Sequence, residues 1–435
     1  MLPPVRPTPC RFVPVGRGSC ALLVPLGVVL LVLCLVAWRF WHDTPRESDE
    51  DLRLPASDTT PPPTHASPLK LRAFLEAVRP VQQLSLRALP PTEWDTPSLS
   101  AHVRANGTAL DNLRDLLEDA DWHPRHAAWF VTDHSGHEAW PHVIFLLQAQ
   151  AAYLGRRGEE AEAFTAAIDL AELSRRILEL TAWPGYVWRA QDLGAGAAQT
   201  LAELLRQTRL DAATLAGFQE QFTRCEPATE LMRQHCAAIY LHEKKCLLGE
   251  QSGEPRETLP PGVPLPRAGR LTFKVNATLA LVARACRDLR DEFSRPAYTS
   301  AGGFLASLPN GRPARFYDPN RDGIAWFNER LGGLRQLADR HALALARHSL
   351  VRVLFGVRRH AVERGRLPAS LAELVPAQLS AVPVDPFTGE PLVFDPVRGL
   401  IYSAGADCLS ANGRTGQPPL SDDNEPTVMV GRVGD

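Results

Sequence analysis

Residues 143–180 read VIFLLQAQAAYLGRRGEEAEAFTAAIDLAELSRRILEL, and they decide the fold class of this 435-residue chain. Apolar residues recur at steps of three and four through residues 143–154 and again through 159–180, which is the spacing of amphipathic helices. The stripe of the second segment consists of Ala161, Phe164, Ile168 and Ala171. Residues 156–158, RRG, have the composition of a tight turn. The stretch predicts a helical hairpin within a helical domain over residues 69–324.

The hairpin is similar to a single tetratricopeptide-type helix pair, on the evidence of Tyr153, Gly158, Ala163 and Phe164 near the turn. An array of such pairs needs further copies at a fixed period, because each pair buries its apolar face by stacking on the next. No second copy aligns at a fixed period. An irregular helical bundle and a tetratricopeptide-like array therefore both stay open.

Single residues mark the boundaries of other predicted helices. Asp211 is placed as the N-cap of one helix, where its carboxylate would accept a hydrogen bond from a free backbone N–H. Gly365 ends a long helical run that starts near residue 325. A Pro-rich stretch at residues 254–269 interrupts the helical pattern, and it is either a surface loop or a subdomain boundary.

The C-terminal part, residues 325–435, carries a small module behind its long helix. Ser370 and Glu373 have the spacing of a capping box for a short helix. Residues 385–389, DPFTG, read as a turn in which the glycine is free to take a positive φ. Short strands are predicted at residues 392–394, 400–403 and 427–430. The fold class is therefore mainly α, with a C-terminal β-hairpin or three-stranded α+β module.

This order of elements, over roughly residues 355–430, resembles the C-terminal module of the major pseudopilins of type II secretion. The shared elements are a helix, a capped short helix, the DPFTG turn, a hairpin and the SAGAD loop at 403–407. The resemblance implies a calcium site, since carboxylates and loop carbonyls supply the oxygen ligands that calcium needs. The ligands that it implies are Asp407 and one or both of Asp422 and Asp423. Alternatively, Asp407 caps a turn, and Asp422 and Asp423 are solvated.

Two features depart from the pseudopilin pattern. Cys408 stands where a glycine is usual, and the loop that follows is long. Residues 16–38 also lack the phenylalanine and the glutamate of a prepilin-peptidase site. Similar tails occur on larger membrane-anchored helical proteins of bacteria, and the whole chain looks more like one of those.

Residues 20–38, CALLVPLGVVLLVLCLVAW, contain no charged side chain and would span roughly 28 Å as a helix, close to the thickness of a bilayer core. Three arginines lie in the tail, residues 1–19, whereas the acidic run ESDED follows at 47–51. This asymmetry predicts a cytoplasmic N-terminus and a periplasmic main domain. A cleaved signal peptide is the alternative, but residues 36–38 lack the small-residue cleavage pattern. Residues 39–68, rich in Pro, Ser and Thr, predict an extended linker.

Composition excludes some classes of partner. The formal net charge of −2 provides no basic field for nucleic acid, so no nucleic-acid partner is expected. The wide spacing of the eight cysteines specifies no disulfide framework. The apolar fraction of 45% is that of a globular protein.

Two histidine-containing clusters are candidate transition-metal sites. The first, between residues 123 and 142, consists of His123, His126, His134, His137 and His142. The second consists of His235, Cys236, His242 and Cys246. Neither has the spacing of a known zinc site, and on a helix only His242 and Cys246 of the second would share a face.

The search for nucleophile elbows, phosphate loops and metalloprotease motifs is negative, so no catalytic residue is assigned. We therefore expect a non-enzymatic single-pass envelope protein that offers a scaffold or docking surface to a protein partner, with calcium as the one candidate ligand. The first alternative is a pseudopilin-like component of a type II secretion or pilus-like machine. The second is a membrane-anchored hydrolase that uses acidic and histidine residues of the 121–142 region.

Overall fold

The computed structural model describes residues 18–53, 66–81, 86, 89–119, 122, 139–179, 184–248, 272–295, 297, 315, 317–331, 333–405, 420–421 and 426–430. Within these ranges only the backbone is described for residues 18–27, 40–41, 66–68, 184–185, 330, 335 and 420–421. The described chain is mainly helical and carries one small antiparallel sheet near its C-terminus, in agreement with the predicted fold class.

The α-helices are α1 (Gly18–Trp41), α2 (Ala66–Ala77), α3 (Thr96–Ala105), α4 (Gly107–Leu117), α5 (Trp140–Arg156), α6 (Glu160–Leu178), α7 (Pro184–Gln207), α8 (Ala212–Arg224), α9 (Thr229–Leu248), α10 (Val275–Glu292), α11 (Arg321–Leu331) and α12 (Leu334–Arg364). Short 3₁₀ helices lie at Glu50–Leu52, Pro91–Glu93 and Leu371–Leu374. Counting only the described side chains, no helix is both long enough and apolar enough to cross a membrane.

The predicted hairpin is present as α5 and α6. Gly158 closes the turn with φ of +81°, a conformation that other residues rarely adopt. Helix α7 then packs against both helices, and its approach to α5 is close: a Cβ at Gly196 would lie 2.9 Å from Cγ2 of Ile144. The sequence pattern therefore identified the hairpin correctly, and a glycine allows the third helix to pack on it.

The described helices pack around one main core. Helices α6 to α9 contain 19, 24, 13 and 20 residues, so the described hairpins are not of equal length. The main cluster of buried apolar side chains extends from Leu52, ahead of α2, to Val430, after the last strand. The helical domain and the C-terminal module thus share a core.

Local boundary signals are largely confirmed. The carboxylate of Asp211 accepts a hydrogen bond from Thr214 N at 2.8 Å, and Gly365 follows α12 with φ of +68°. The long predicted run is two helices rather than one, with the break between Leu331 and Leu334, where the sequence has two glycines. Glycine is a poor helix former, which accounts for the break.

The sheet has the strand order β1-β2-β4-β3 and is antiparallel throughout. Its strands are β1 (Val393–Asp395), β2 (Leu400–Tyr402), β3 (Leu420–Ser421) and β4 (Thr427–Met429). The three predicted strands are confirmed, and β3 is an addition of two residues. The inner strands β2 and β4 pack on α12, so the module is attached to the bundle through its own long helix.

The predicted capping box at Ser370 is wrong. The side chain of Ser370 makes no capping hydrogen bond, and the segment that follows is a single 3₁₀ turn. The carboxylate of Glu373 instead accepts a hydrogen bond from Arg366 at 3.1 Å. The nearby arginine provides a charged donor that outcompetes a neutral backbone N–H.

Candidate functional site

The candidate calcium ligands implied by the pseudopilin resemblance, Asp407, Asp422 and Asp423, lie outside the described residues. The calcium site therefore stays a prediction. The described backbone reaches Gly405 on one side of this loop and resumes at Leu420.

Most of the first histidine cluster also lies outside the described residues, namely His123, His126, His134 and His137. His142 is described, in the first turn of α5. The hydrolase alternative that relied on the 121–142 region therefore stays untested.

The members of the second cluster do not converge on one point. His235 is fully buried on α9, and its Nε2 lies 2.9 Å from the carbonyl oxygen of Leu178. His242 Nε2 lies 3.8 Å from Cys246 Sγ, as the spacing of four residues predicts. Across the described residues, no three His, Cys, Asp or Glu side chains are placed so that they could share a metal ion.

The described structure does contain a cavity of about 30 Å³ where α6, α7, α8 and α12 meet, large enough for one or two water molecules. We call it the histidine cavity. It is lined by Ala171, Ser174, Leu178, Ala190, Gln191, Gly194, Ala198, Phe222, Cys225, Pro227, His341, Ala344 and His348. These lining side chains include no carboxylate, ammonium or guanidinium group, so the cavity suits uncharged molecules.

Two imidazoles and one amide carry the unpartnered polar atoms of the histidine cavity. His348 Nε2 lies 2.9 Å from the carbonyl oxygen of Phe222. A carbonyl can only accept, so Nε2 carries the proton and Nδ1 is a bare acceptor. Among the described residues, neither Nδ1 of His348 nor Nδ1 of His341 has a hydrogen-bond partner, and both amide atoms of Gln191 also lack one. Bound water is the simplest molecule that satisfies these atoms.

The chemistry of the histidine cavity does not favour nucleophilic catalysis. Burial, with a contribution from the nearby Glu172 carboxylate, raises the pKa of the Cys225 thiol to about 12. The nucleophilic form of cysteine is the thiolate, which is absent at pH 7 when the pKa is this high. The hydroxyl of Ser174 donates to the carbonyl oxygen of Ala190 at 2.6 Å. The spacing of seven residues between His341 and His348 on one helix was the sequence signal for this cavity, and it was missed.

A second polar site is formed by residues 42–53, which we call the strap. The sequence predicts an extended linker here, but the strap is folded against α9 and α10. The hydroxyl of Tyr240 and the ammonium of Lys244 both donate to Asp49 Oδ2, each at 2.6 Å. Burial alone raises the pKa of Asp49, but these two hydrogen bonds overcome that effect and hold the pKa at about 2.

The end of the strap is held by arginines and by the core. Arg287 donates to both carboxylate oxygens of Asp51, at 2.8 and 3.0 Å, and Arg290 donates to the same carboxylate at 3.1 Å. The hydrogen bonds from Arg287 and Arg290 keep the pKa of Asp51 at about 2. Leu52 is fully buried in the main core. The acidic run ESDED therefore has a structural role in the first part of the predicted linker, where it is bonded to α9 and α10; residues 54–65 lie outside the described part.

We expect Asp49→Ala to cost about 2 kcal/mol of unfolding free energy, because Tyr240 and Lys244 would lose their shared acceptor in a buried setting. Glu50→Ala is the matched control: it removes an exposed carboxylate that is 3.9 Å from Arg53, and such pairs contribute little. Chemical denaturation of the full-length protein in detergent at pH 7 measures both values. Equal losses for the two variants would show that the strap is not docked in solution.

No protein-family model, curated protein or solved structure matches this chain. Its function must therefore be argued from its own residues.

Proposed function

We propose that this chain is a single-pass envelope protein whose residues 20–38 cross the membrane, with residues 1–19 in the cytoplasm and the helical domain in the periplasm. The domain is a non-enzymatic scaffold that docks a protein partner. The observation that carries this proposal is the exposed apolar surface of α1. The large apolar side chains concerned are Val28, Val29, Leu30, Leu31, Val32, Leu33, Leu35, Val36 and Trp38, with exposed fractions from 47 to 64%.

The exposed apolar surface extends around the whole of helix α1, and its contact with water is energetically unfavourable. A helix on the surface of a globular protein hides one apolar face and shows a polar one. Between Val28 and Val36, consecutive residues of α1 are apolar, so every face is apolar. Burial of each such side chain is worth about 1.5–3 kcal/mol. A lipid environment supplies that burial, and Trp38 stands where an interfacial aromatic residue would anchor the helix.

The non-enzymatic part of the proposal is supported by the histidine cavity. Its thiol is protonated at pH 7, and its hydroxyl is engaged with a backbone carbonyl. Its described lining offers hydrogen bonds without charge. Such a cavity suits structural water better than it suits a reaction.

The pseudopilin-like alternative is favoured by one observation, the order of elements in the C-terminal module. Helix α12 is followed by the DPFTG turn, the β1–β2 hairpin and β4, in the order that the resemblance implies. This alternative predicts that the full-length protein co-purifies with pseudopilins or with their inner-membrane platform. Co-purification with neither would argue strongly against it.

Membrane insertion can be tested with charges in the middle of the apolar run. Leu30→Arg with Leu33→Arg is expected to move the full-length protein from the carbonate-resistant membrane pellet to the soluble or aggregated fraction. Each arginine near the centre of a membrane helix costs about 2.5–3.5 kcal/mol on the insertion scale. The control is Val397→Arg in the hairpin turn, a side chain that is 94% exposed. Release of the unmodified protein by carbonate would contradict the proposal.

A further inference from the structure

We infer that the strap seats the domain on the bilayer in one orientation, with a surface made of Arg315, Tyr317 and Arg321 against the phospholipid headgroups. We call these three residues the headgroup surface. This inference rests on the proposed membrane helix, and it adds the orientation of the domain and its lipid contact.

The first step is the short path from α1 to the domain. Helix α1 ends at Trp41, and its hydrogen-bond pattern extends to His42, whose N–H donates to the carbonyl oxygen of Trp38 at 2.9 Å. The next residue, Asp43, already contacts α10. Its carboxylate accepts from Asn276 N at 2.8 Å and from Ala277 N at 3.2 Å. Two residues span at most about 7 Å, so the amino end of α10 lies next to the end of the membrane helix.

The second step is that further contacts hold the end of α1 in a fixed position beside the amino end of α10. Asn276 Nδ2 donates to the carbonyl oxygen of Thr44 at 2.9 Å, which adds a backbone contact beside the Asp43 carboxylate. Further along, Asp49 and Asp51 are held by α9 and α10, and Leu52 enters the core. The strap is therefore fixed at both of its ends. A chain segment with these contacts transmits the position of α1 to the domain.

The third step identifies what lies beside the amino end of α10. Lys274 N donates to Asn320 Oδ1 at 2.8 Å, and Asp322 N donates to the carbonyl oxygen of Thr272 at 2.9 Å. The segment around residues 317–322 is thus bonded to the residues that immediately precede α10. Tyr317 and Arg321 of the headgroup surface belong to this segment, and Arg315 lies two residues before it.

The chemistry of this surface matches a bilayer interface. Tyr317 is 50% exposed, and the guanidinium of Arg315 lies over its ring, 5.8 Å from the ring centroid. Arg321, in the first turn of α11, is also exposed. Tyrosine is enriched at the headgroup level because its ring is apolar and its hydroxyl is polar, and arginine binds phosphate through planar paired donors. The acidic Asp318 and Asp322 lie within the same segment, so zwitterionic phospholipid is the expected contact rather than a strongly anionic one.

The C-terminal module lies at the other end of α10. A Cβ at Gly389, in the DPFTG turn, would lie 3.2 Å from Cβ of Ala297, just past the carboxyl end of α10. Helix α10 has 18 residues and is about 27 Å long. The orientation inferred from the strap therefore keeps the module away from the amino end of α10 and leaves it accessible from the periplasm.

Photocrosslinking of the full-length protein in phosphatidylcholine nanodiscs tests the orientation. p-Benzoylphenylalanine replaces Tyr317 in one sample and Val397 in the other, and mass spectrometry measures the yield of phospholipid adduct. Val397 is the control because it is highly exposed and belongs to the distant module. We expect a several-fold higher yield at position 317, and a fall to the level of position 397 when Asp43→Ala, Asp49→Ala and Asp51→Ala are combined.

Membrane association of the same samples is measured by flotation with liposomes, which separates the two ways in which the test can fail. A protein that does not float overturns the proposed membrane helix, and the orientation with it. A protein that floats but gives equal adduct yields at positions 317 and 397 overturns the orientation alone. A difference in yield that survives loss of the three strap carboxylates overturns the role of the strap.

Discussion

Asp385→Ala is expected to destabilise the C-terminal module by about 3–5 kcal/mol, because it removes the acceptor for three buried donors. Asp385 is 3% exposed. Its Oδ1 accepts from Phe387 N and from the hydroxyl of Ser403, both at 2.9 Å, and its Oδ2 accepts from Ala404 N at 2.7 Å. Alanine would take this acceptor away from two backbone N–H groups and one hydroxyl, each at the lower part of the range of about 1–3 kcal/mol.

The matched control for this prediction is Asp395→Ala in the hairpin turn. The Asp395 carboxylate also accepts two backbone hydrogen bonds, from Val397 N and Arg398 N at 3.0 Å, but these groups are exposed and water can replace the carboxylate. We therefore expect a loss below about 1 kcal/mol there. Chemical denaturation of the full-length variants in detergent measures both. Equal losses would mean that the Asp385 carboxylate does not hold the turn to the strand.

Asp385 also shows which structural features can be predicted from the sequence and which cannot. The turn at 385–389 follows from the local chemistry of proline, aspartate and glycine, and the structure has Gly389 at φ of +76°. The amphipathic hairpin, the Asp211 cap and the three strands were predictable for the same reason, since each signal lies within one element. The bond from Asp385 to Ser403 crosses 18 residues, and no local pattern indicates it.

The strap is a clearer example of a structural feature that cannot be predicted from the sequence. Its composition is that of a linker, and its bonds to Tyr240, Lys244 and Arg287 join residues 191 to 236 positions apart. The partner side chains lie on α9 and α10. Exposed helix faces usually carry charged residues, so the presence of these side chains does not indicate that they bind the strap. Only the fold brings the acidic residues of the strap to these particular basic residues, so the docking could not be predicted from the sequence.

Acidification from pH 7 to pH 5 is expected to destabilise the domain through three buried imidazoles. Burial lowers the pKa of His235, His341 and His348 to about 4. In the unfolded chain the pKa of histidine is about 6.5. Below that pH the unfolded state takes up protons that the folded state does not, so stability is full above about pH 6.5 and falls as the pH drops toward 4. At pH 5 each histidine accounts for a loss of about 2 kcal/mol.

Two carboxyl groups act in the opposite direction. Burial raises the pKa of Asp169 to about 6 and that of Glu203 to about 7. The folded state therefore binds their protons more readily than the unfolded state, and stability from these groups increases as the pH falls through the same range. The total change in stability with pH is therefore the loss from the three histidines minus the gain from the two carboxyl groups. A variant that lacks one histidine isolates the contribution of that histidine.

His348→Phe is the variant that isolates it best. The imidazole of His348 is stacked on Phe222 with ring centroids 4.3 Å apart, so a phenyl ring can occupy the same place. We expect this variant to be about 1 kcal/mol less stable at pH 7, because the carbonyl of Phe222 loses its donor. Between pH 7 and pH 5 it should lose about 2 kcal/mol less than the unmodified protein.

The control is His42→Phe, which makes the same substitution at an exposed position at the start of the strap. Denaturation curves at pH 7 and pH 5, in the same detergent, give all of the differences. If His348→Phe showed the unmodified pH dependence, the imidazole of His348 would have to be protonated as easily in the folded state as in the unfolded one. That requires water to reach Nδ1 of His348 freely while the domain is folded.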